Sequence, residues 1–138
     1  MQFQILVFDG FEEMDVFGVF EPLRMAGFDV KLVSLEKQVC AGSMLLAKAG
    51  LLSGRSATSN LSLLDELGQG GVNAIQARVV DDGDIITAGG ITGSLDLGVW
   101  LVQRFSNVDK ALEVSRKLEF EPRGCVWQTK EKTKENDN

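Results

Sequence analysis

The sequence predicts an α/β domain built on a mostly parallel sheet, and three observations carry that expectation. Gln2 to Phe8, Q-F-Q-I-L-V-F, is a near-continuous apolar run of strand length, the pattern of a strand buried on both faces of a parallel sheet. A helix-spaced segment and then an alternating segment follow it, giving strand, helix and strand by residue 35, the form of a right-handed βαβ unit. A second strand, glycine turn and helix recur at Ile85 to Phe105. At 138 residues the chain has room for one domain with a genuine core.

The elements follow in order. Asp9-Gly10 ends the first strand. Glu12 to Ala26 carries Met14, Phe17, Phe20, Leu23 and Met25 at largely helical spacing, with Gly27 as the stop. Pro22 falls late in that helix, where an interior proline costs about 3 kcal/mol and a kink. Phe28 to Leu35 alternates as the second strand, and a helix starts near Gly42 and closes at Gly50. Leu51 to Gly54 form a turn, Arg55 to Ser59 a short strand, and Asn60 caps a helix over Leu61 to Leu67. Gly68 to Gly71 read as a flexible loop. Ala74 to Val80 and Asp84 to Ala88 flank Asp81-Asp82-Gly83 as a hairpin. Ser94 to Phe105 is an amphipathic helix with Trp100 on its core side, and Asn107 caps a last helix to Leu118. The domain is bounded at 1–122. Residues 123–138 read as a charged, disordered tail, and Cys125 and Trp127 near its start are assigned no chemistry.

Charge and composition narrow the function. Twenty acidic residues against fourteen basic ones give a net charge of −6, which argues against nucleic acid or an anionic membrane as partner. The chain contains no histidine, so Cys-His and Ser-His dyads and histidine metal sites are excluded, and carboxylates are left as the acid-base groups near neutral pH. No cofactor or metal is expected. No apolar run reaches the length of a membrane span. Two well-separated cysteines and no recognisable signal peptide point to a reduced, cytoplasmic protein.

Lys37 to Leu52, K-Q-V-C-A-G-S-M-L-L-A-K-A-G-L-L, holds the first candidate for chemistry. Cys40 stands before a Gly-Ser pair at the mouth of a helix, an arrangement that can hold a nucleophile on a sharp turn. Backbone N–H groups and the helix dipole would lower its pKa from about 8.5 and raise the thiolate fraction. The alternative is a small buried hydrophobe packed beneath the helix. The turn Gly89-Gly90-Ile91-Thr92-Gly93 is open in the same way, between ligand binding and close strand-to-helix packing, because its phosphate fingerprint is incomplete.

Three stretches resemble the ThiJ/PfpI superfamily, related in fold to class I glutamine amidotransferases, and in particular its isonitrile hydratase branch. They are F-D-G-F-E-E-M-D-V-F-G from Phe8, V-C-A-G-S-M-L-L-A-K-A-G-L-L-S-G-R-S-A-T from Val39, and V-V-D-D-G-D-I-I-T-A-G-G-I-T-G-S-L-D-L-G from Val79. The resemblance implies a three-layer sandwich with a flavodoxin-like, mostly parallel sheet, and a homodimer. It makes Cys40 the nucleophile and Asp15 the carboxylic acid beside it. A carboxyl in a poorly hydrated pocket next to a thiolate has a raised pKa and can donate a proton. Read from the chain alone, Asp15 is equally a first-turn acid complementing the helix dipole, and Glu12 and Glu13 are solvated first-turn acids, with Glu12 left near the site by the resemblance. Ala41, Gly42, Gly89, Gly90 and Thr92 are the candidate oxyanion and substrate-binding positions.

The implied activity is cysteine-dependent, cofactor-free hydration, lyase or hydrolase chemistry on a small molecule, of which isonitrile hydration to an N-substituted formamide is the sharpest form. Two alternatives stand beside it: a non-enzymatic redox or stress-response domain using Cys40, and a shortened, inactive relative serving as a dimerisation or binding module. Three departures from the family pattern bear on the choice. Ala41 stands where the hydratases place a threonine, and Asn60 stands in place of a histidine common in related members. Only 25 positions separate Asp15 from Cys40, so some central elements of the sheet and the loop supplying an oxyanion donor are missing.

Overall fold

The structure, a computed structural model, describes residues 1–8, 13–35 and 42–129. Strand β1 (Gln2–Phe8), helix α1 (Glu13–Met25) and strand β2 (Asp29–Leu35) form the expected βαβ unit, with β1 and β2 parallel over seven residues from Gln2↔Asp29 to Phe8↔Leu35. Helix α2 (Gly42–Lys48), strand β3 (Ser56–Ala57), a 3₁₀ turn (Leu61–Leu63), helix α3 (Leu64–Gln69) and strand β4 (Asn73–Ala74) follow. Strands β5 (Val79–Asp81) and β6 (Ile86–Ala88), helices α4 (Gly93–Phe105) and α5 (Val108–Lys117), and strand β7 (Trp127–Gln128) complete the described chain.

Among the described residues the strands fall into three small sheets, β1-β2, β3-β4 and β6-β5-β7. Only β5 and β6 pair antiparallel; the other pairs are parallel. The apolar run of β1 predicts a strand covered on both faces, yet Leu32 and Val33 of its partner β2 are 47% and 37% exposed. The connection from β2 to β3 contains α2 and is long enough for a parallel crossover, yet among the described residues β3 pairs with β4 and not with β2.

Two apolar cores hold the elements together. Leu23, Val99, Val102, Ala111 and Val114 join α1, α4 and α5, with Phe3 and Val30 packing on them from the β1-β2 sheet. Phe3 also meets Phe28 and Phe105 edge-on at 5.2 and 5.6 Å. Met44, Leu52, Ala57, Leu67 and Val72 form the second core, under α2, α3 and β3.

The face that α1 buries differs from the one its apolar residues predict. Val16, Gly18, Pro22 and Leu23 are buried, while Met14 and Phe17 are about half exposed. The cause is backbone contact with α4. Pro22 has no N–H to donate to the Gly18 carbonyl one turn back, and Gly98 of α4 packs against that carbonyl. A Cβ on Gly98 would lie 2.6 Å from Gly18 O and 2.7 Å from Pro22 Cγ.

Helix ends follow the sequence closely. At α1, Gly27 (φ +88°) donates to Arg24 O and Phe28 N to Leu23 O; at α2, Gly50 (φ +76°) donates to Ala47 O and Leu51 N to Leu46 O. Both are Schellman closures, which need a left-handed residue. Asn107 caps α5 through Lys110 N at 2.8 Å, and Asn60 caps the 3₁₀ turn through Ser62 N at 3.1 Å.

Elsewhere the expected boundaries move. Gly68 lies inside α3 and not in the loop beyond it. The run expected as one strand from Ala74 to Val80 is broken where Ala77 N bonds Ile75 O at 3.0 Å, a three-residue turn. Ala74 therefore pairs with β3, and the hairpin starts only at Val79. The segment expected as a tail from 123 carries β7, which pairs Val80↔Trp127 and Asp81↔Gln128 along β5. Residues 130–138 of that expected tail lie outside the described residues.

Buried charge marks the hairpin. Asp81, 5% exposed, accepts both its contacts from Arg104 at 2.8 and 2.9 Å, the Trp100 indole N–H at 2.8 Å and Gly83 N at 3.0 Å. Trp100, expected on the core side of its helix, is half-buried, belongs to neither apolar core and gives its indole N–H to a carboxylate.

Candidate functional site

The first turn of α1, the start of α2, the residues after β3 and the glycine turn before α4 converge on one cavity of about 410 Å³. Its lining includes Asp15 and Val19 from α1, Gly42 and Ser43 from α2, and Ser59 and Asn60. Leu63, Gly90, Ile91, Ser94 and Leu97 close the other side.

Each lining segment is fixed by hydrogen bonds. Ser43 Oγ donates to Thr58 O at 2.7 Å, tying α2 to the end of β3. Thr58, fully buried, donates its N–H to Thr87 Oγ1 at 2.8 Å and its hydroxyl to Ala77 O at 2.9 Å. Ser94 Oγ lies 2.8 Å from Met14 O and 2.7 Å from Ile91 O, so its hydroxyl links the first turn of α1 to the glycine turn.

Of the residues expected to form a site, three line this cavity: Asp15, Gly42 and Gly90. Cys40 and Ala41 lie outside the described residues, as does Glu12. Asp15 is exposed, so the described residues do not supply the poorly hydrated surroundings expected of it. Gly89 serves packing: a Cβ there would come within 2.9 Å of Ala77 O and 3.0 Å of Ser59 O. Thr92 is turned to another partner, accepting from Arg78 Nη2 at 3.0 Å, while Arg78 Nε donates to Asp96 at 2.7 Å.

Sequence reasoning did not single out Ser43, Ser59 or Ser94. The signal available was position: Ser43 follows the glycine of the elbow, and Ser94 ends the glycine turn. Asn60 was read as a cap, and it both caps and lines the cavity. A larger groove of about 840 Å³ runs between α4, α5 and residues 119–123 and shares none of these residues. Among the described residues no group of three or more histidine, cysteine, aspartate or glutamate side chains is placed to hold a metal ion. No described helix is long and apolar enough to cross a membrane.

This α/β architecture is that of a family of known proteins. Residues 37–104 match the DJ-1/PfpI family. It is 42% identical over 84 residues to an isonitrile hydratase of Pseudomonas putida, and 31% identical over 83 residues to the DJ-1 homolog A of Arabidopsis thaliana. Those stretches cover 61% and 60% of this chain but only 37% and 21% of the relatives. The crystal structure of Drosophila melanogaster DJ-1beta superposes with a TM-score of 0.78 at 18% identity, covering 87% of this chain and 98% of the other. A ThiJ/PfpI family protein from Pseudomonas syringae gives 0.72 at 23% identity over 89% of this chain and 76% of its own. The fold is accordingly the flavodoxin-like α/β fold of the DJ-1/PfpI proteins.

Proposed function

We propose that this chain is a cysteine-dependent, cofactor-free hydratase that converts a small isonitrile to an N-substituted formamide, with Cys40 as nucleophile and Asp15 as proton donor. The observation that carries this reading is the single cavity lined by Asp15, Gly42 and Gly90. Gly42 follows Cys40 by two residues in the sequence. The likeness to an isonitrile hydratase supports the same choice. Asp15 is the one charged side chain among the described lining residues, and Val19, Leu63, Ile91 and Leu97 supply an apolar wall. That lining suits a neutral substrate with an apolar substituent.

In the proposed reaction the Cys40 thiolate adds to the terminal isonitrile carbon while Asp15 protonates that carbon, leaving it bonded to sulfur and doubly bonded to nitrogen. Water then adds to the same carbon and the carbon–sulfur bond breaks. Nitrogen takes one water proton, Asp15 takes the other, and the formamide leaves. Backbone N–H groups of Ala41 and Gly42 hold developing charge, and loss of one such donor costs about 10²–10³ in rate. The working form in this reading is a cytoplasmic homodimer, which sedimentation would register as twice the chain mass.

Cys40→Ser and Asp15→Asn are each expected to abolish turnover of an alkyl isonitrile with the fold retained by circular dichroism. An active Cys40→Ser protein overturns the proposal. The relation to DJ-1 homologues supports a second reading, in which Cys40 is oxidised by peroxide to a sulfinic acid without turnover. Intact mass after peroxide separates the two, since two oxygens added at Cys40 in a protein lacking turnover favour the second. A protein that neither turns over nor oxidises, yet forms a defined oligomer, would be a shortened binding module.

A further inference from the structure

We propose that Ser94 is the positioning residue that sets where Asp15 stands in the cavity. The inference rests on the reading of Asp15 as proton donor and adds to it a residue 79 positions away in sequence. Ser94 is 4% exposed, and its hydroxyl lies 2.8 Å from Met14 O, the carbonyl of the residue preceding Asp15, and 2.7 Å from Ile91 O in the turn opposite. A serine hydroxyl has one proton. Sharing it between these carbonyls holds the first turn of α1 at a fixed distance from the glycine turn, and Asp15 and Ile91 are the side chains that those two segments present to the cavity.

The contact is built for closeness. Ser94 sits directly on Gly18, where a Cβ would lie 2.0 Å from Ser94 Oγ and 2.7 Å from Ser94 Cβ. Gly18 is one turn beyond Asp15, and Asp15 and Val19, four apart, both line the cavity, so this face of α1 is seated against Ser94. Ordinary helix packing would not need the hydroxyl. Alanine at 94 would satisfy the space, but Met14 O would lose its cross-helix donor, and an acid displaced by about 1 Å costs up to 10²-fold in rate.

The test compares wild type with Ser94→Ala and with Val102→Ala, which opens the α1-α4-α5 core at a residue that does not itself line the cavity. The Asp15 carboxyl is titrated by carbon-13 NMR, and steady-state kinetics are run on an alkyl isonitrile. Among the described residues Asp15 is the one charged side chain lining the cavity, and Glu13 shares its turn. Ser94→Ala is expected to move the Asp15 midpoint by at least about 0.5 pH unit and to lower kcat about tenfold or more with KM within about twofold. Val102→Ala is expected to lower the melting temperature and leave that midpoint in place. If Ser94→Ala leaves the midpoint unchanged, or Val102→Ala moves it equally, Ser94 is a packing residue and the proposal fails. Should Ser94→Ala not fold, Ser94→Cys, similar in size with a weaker donor, is read by the same criteria. Because the titration needs no turnover, an inactive wild type counts against the hydratase reading while the midpoints still decide the role of Ser94.

Discussion

Gly98 and Pro22 define one another. A proline inside a helix leaves a carbonyl without its donor, and in α1 that carbonyl, on Gly18, is met by the bare backbone of Gly98. Gly98→Ala must push a methyl group to 2.6 Å from an oxygen and 2.7 Å from a proline carbon, and neither can yield as a flexible side chain would. The expected cost is about 2 kcal/mol, typical of overpacking, and a urea melt of the variant reads it directly. Neither the pairing nor its cost is visible in sequence, where Pro22 looks like a defect and Gly98 a weak point in a helix. Asp15, by contrast, is singled out in sequence through the family resemblance, and it lines the cavity, while Cys40 lies outside the described residues.

At the scale of elements, α5 closes as α1 and α2 do, but with the wrong residue. Glu119 N bonds Arg116 O and Phe120 N bonds Ser115 O, a Schellman closure in which Glu119 holds φ +50°. Glu119→Gly relieves a left-handed side chain worth about 1 kcal/mol and is expected to raise the melting temperature of the protein. Strand β7 has its own dependence on acid. Partial burial pushes the Asp82 carboxyl up, but the Thr129 hydroxyl and the Arg55 guanidinium outweigh it and hold it below the ordinary range. A depressed folded-state pKa contributes stability above the unfolded value, about 4, and loses it as pH falls further. Hydrogen exchange at Thr129, whose amide bonds Asp81 O at 3.1 Å, is therefore expected to speed up below about pH 4 before α4 exchanges. Long elements were readable from the sequence: β1 runs over the residues its apolar run marks, and four helix positions follow from caps and stops. Two-residue strands were not, because β4 and β7 are too short for any periodicity and β7 lies in a polar stretch.

For the whole molecule, the resemblance of three separated stretches located the family, and the cavity between α1 and the glycine turn is where those stretches meet. What the sequence could not convey was distribution. A continuous apolar strand implies a continuous sheet, whereas the described strands pair as three short ones. The serines of the cavity wall were equally hidden, since their roles depend on carbonyls from distant segments. The last strand has a consequence for anyone preparing this protein. Strand β7 occupies the flank of β5 opposite β6, so a version cut back to Pro122 leaves Val79 to Asp81 with bare amides and carbonyls along that side. Such a backbone recruits strands from neighbouring molecules. The trimmed protein is expected to grow cloudy on concentration, followed by light scattering, under conditions that keep the longer chain clear.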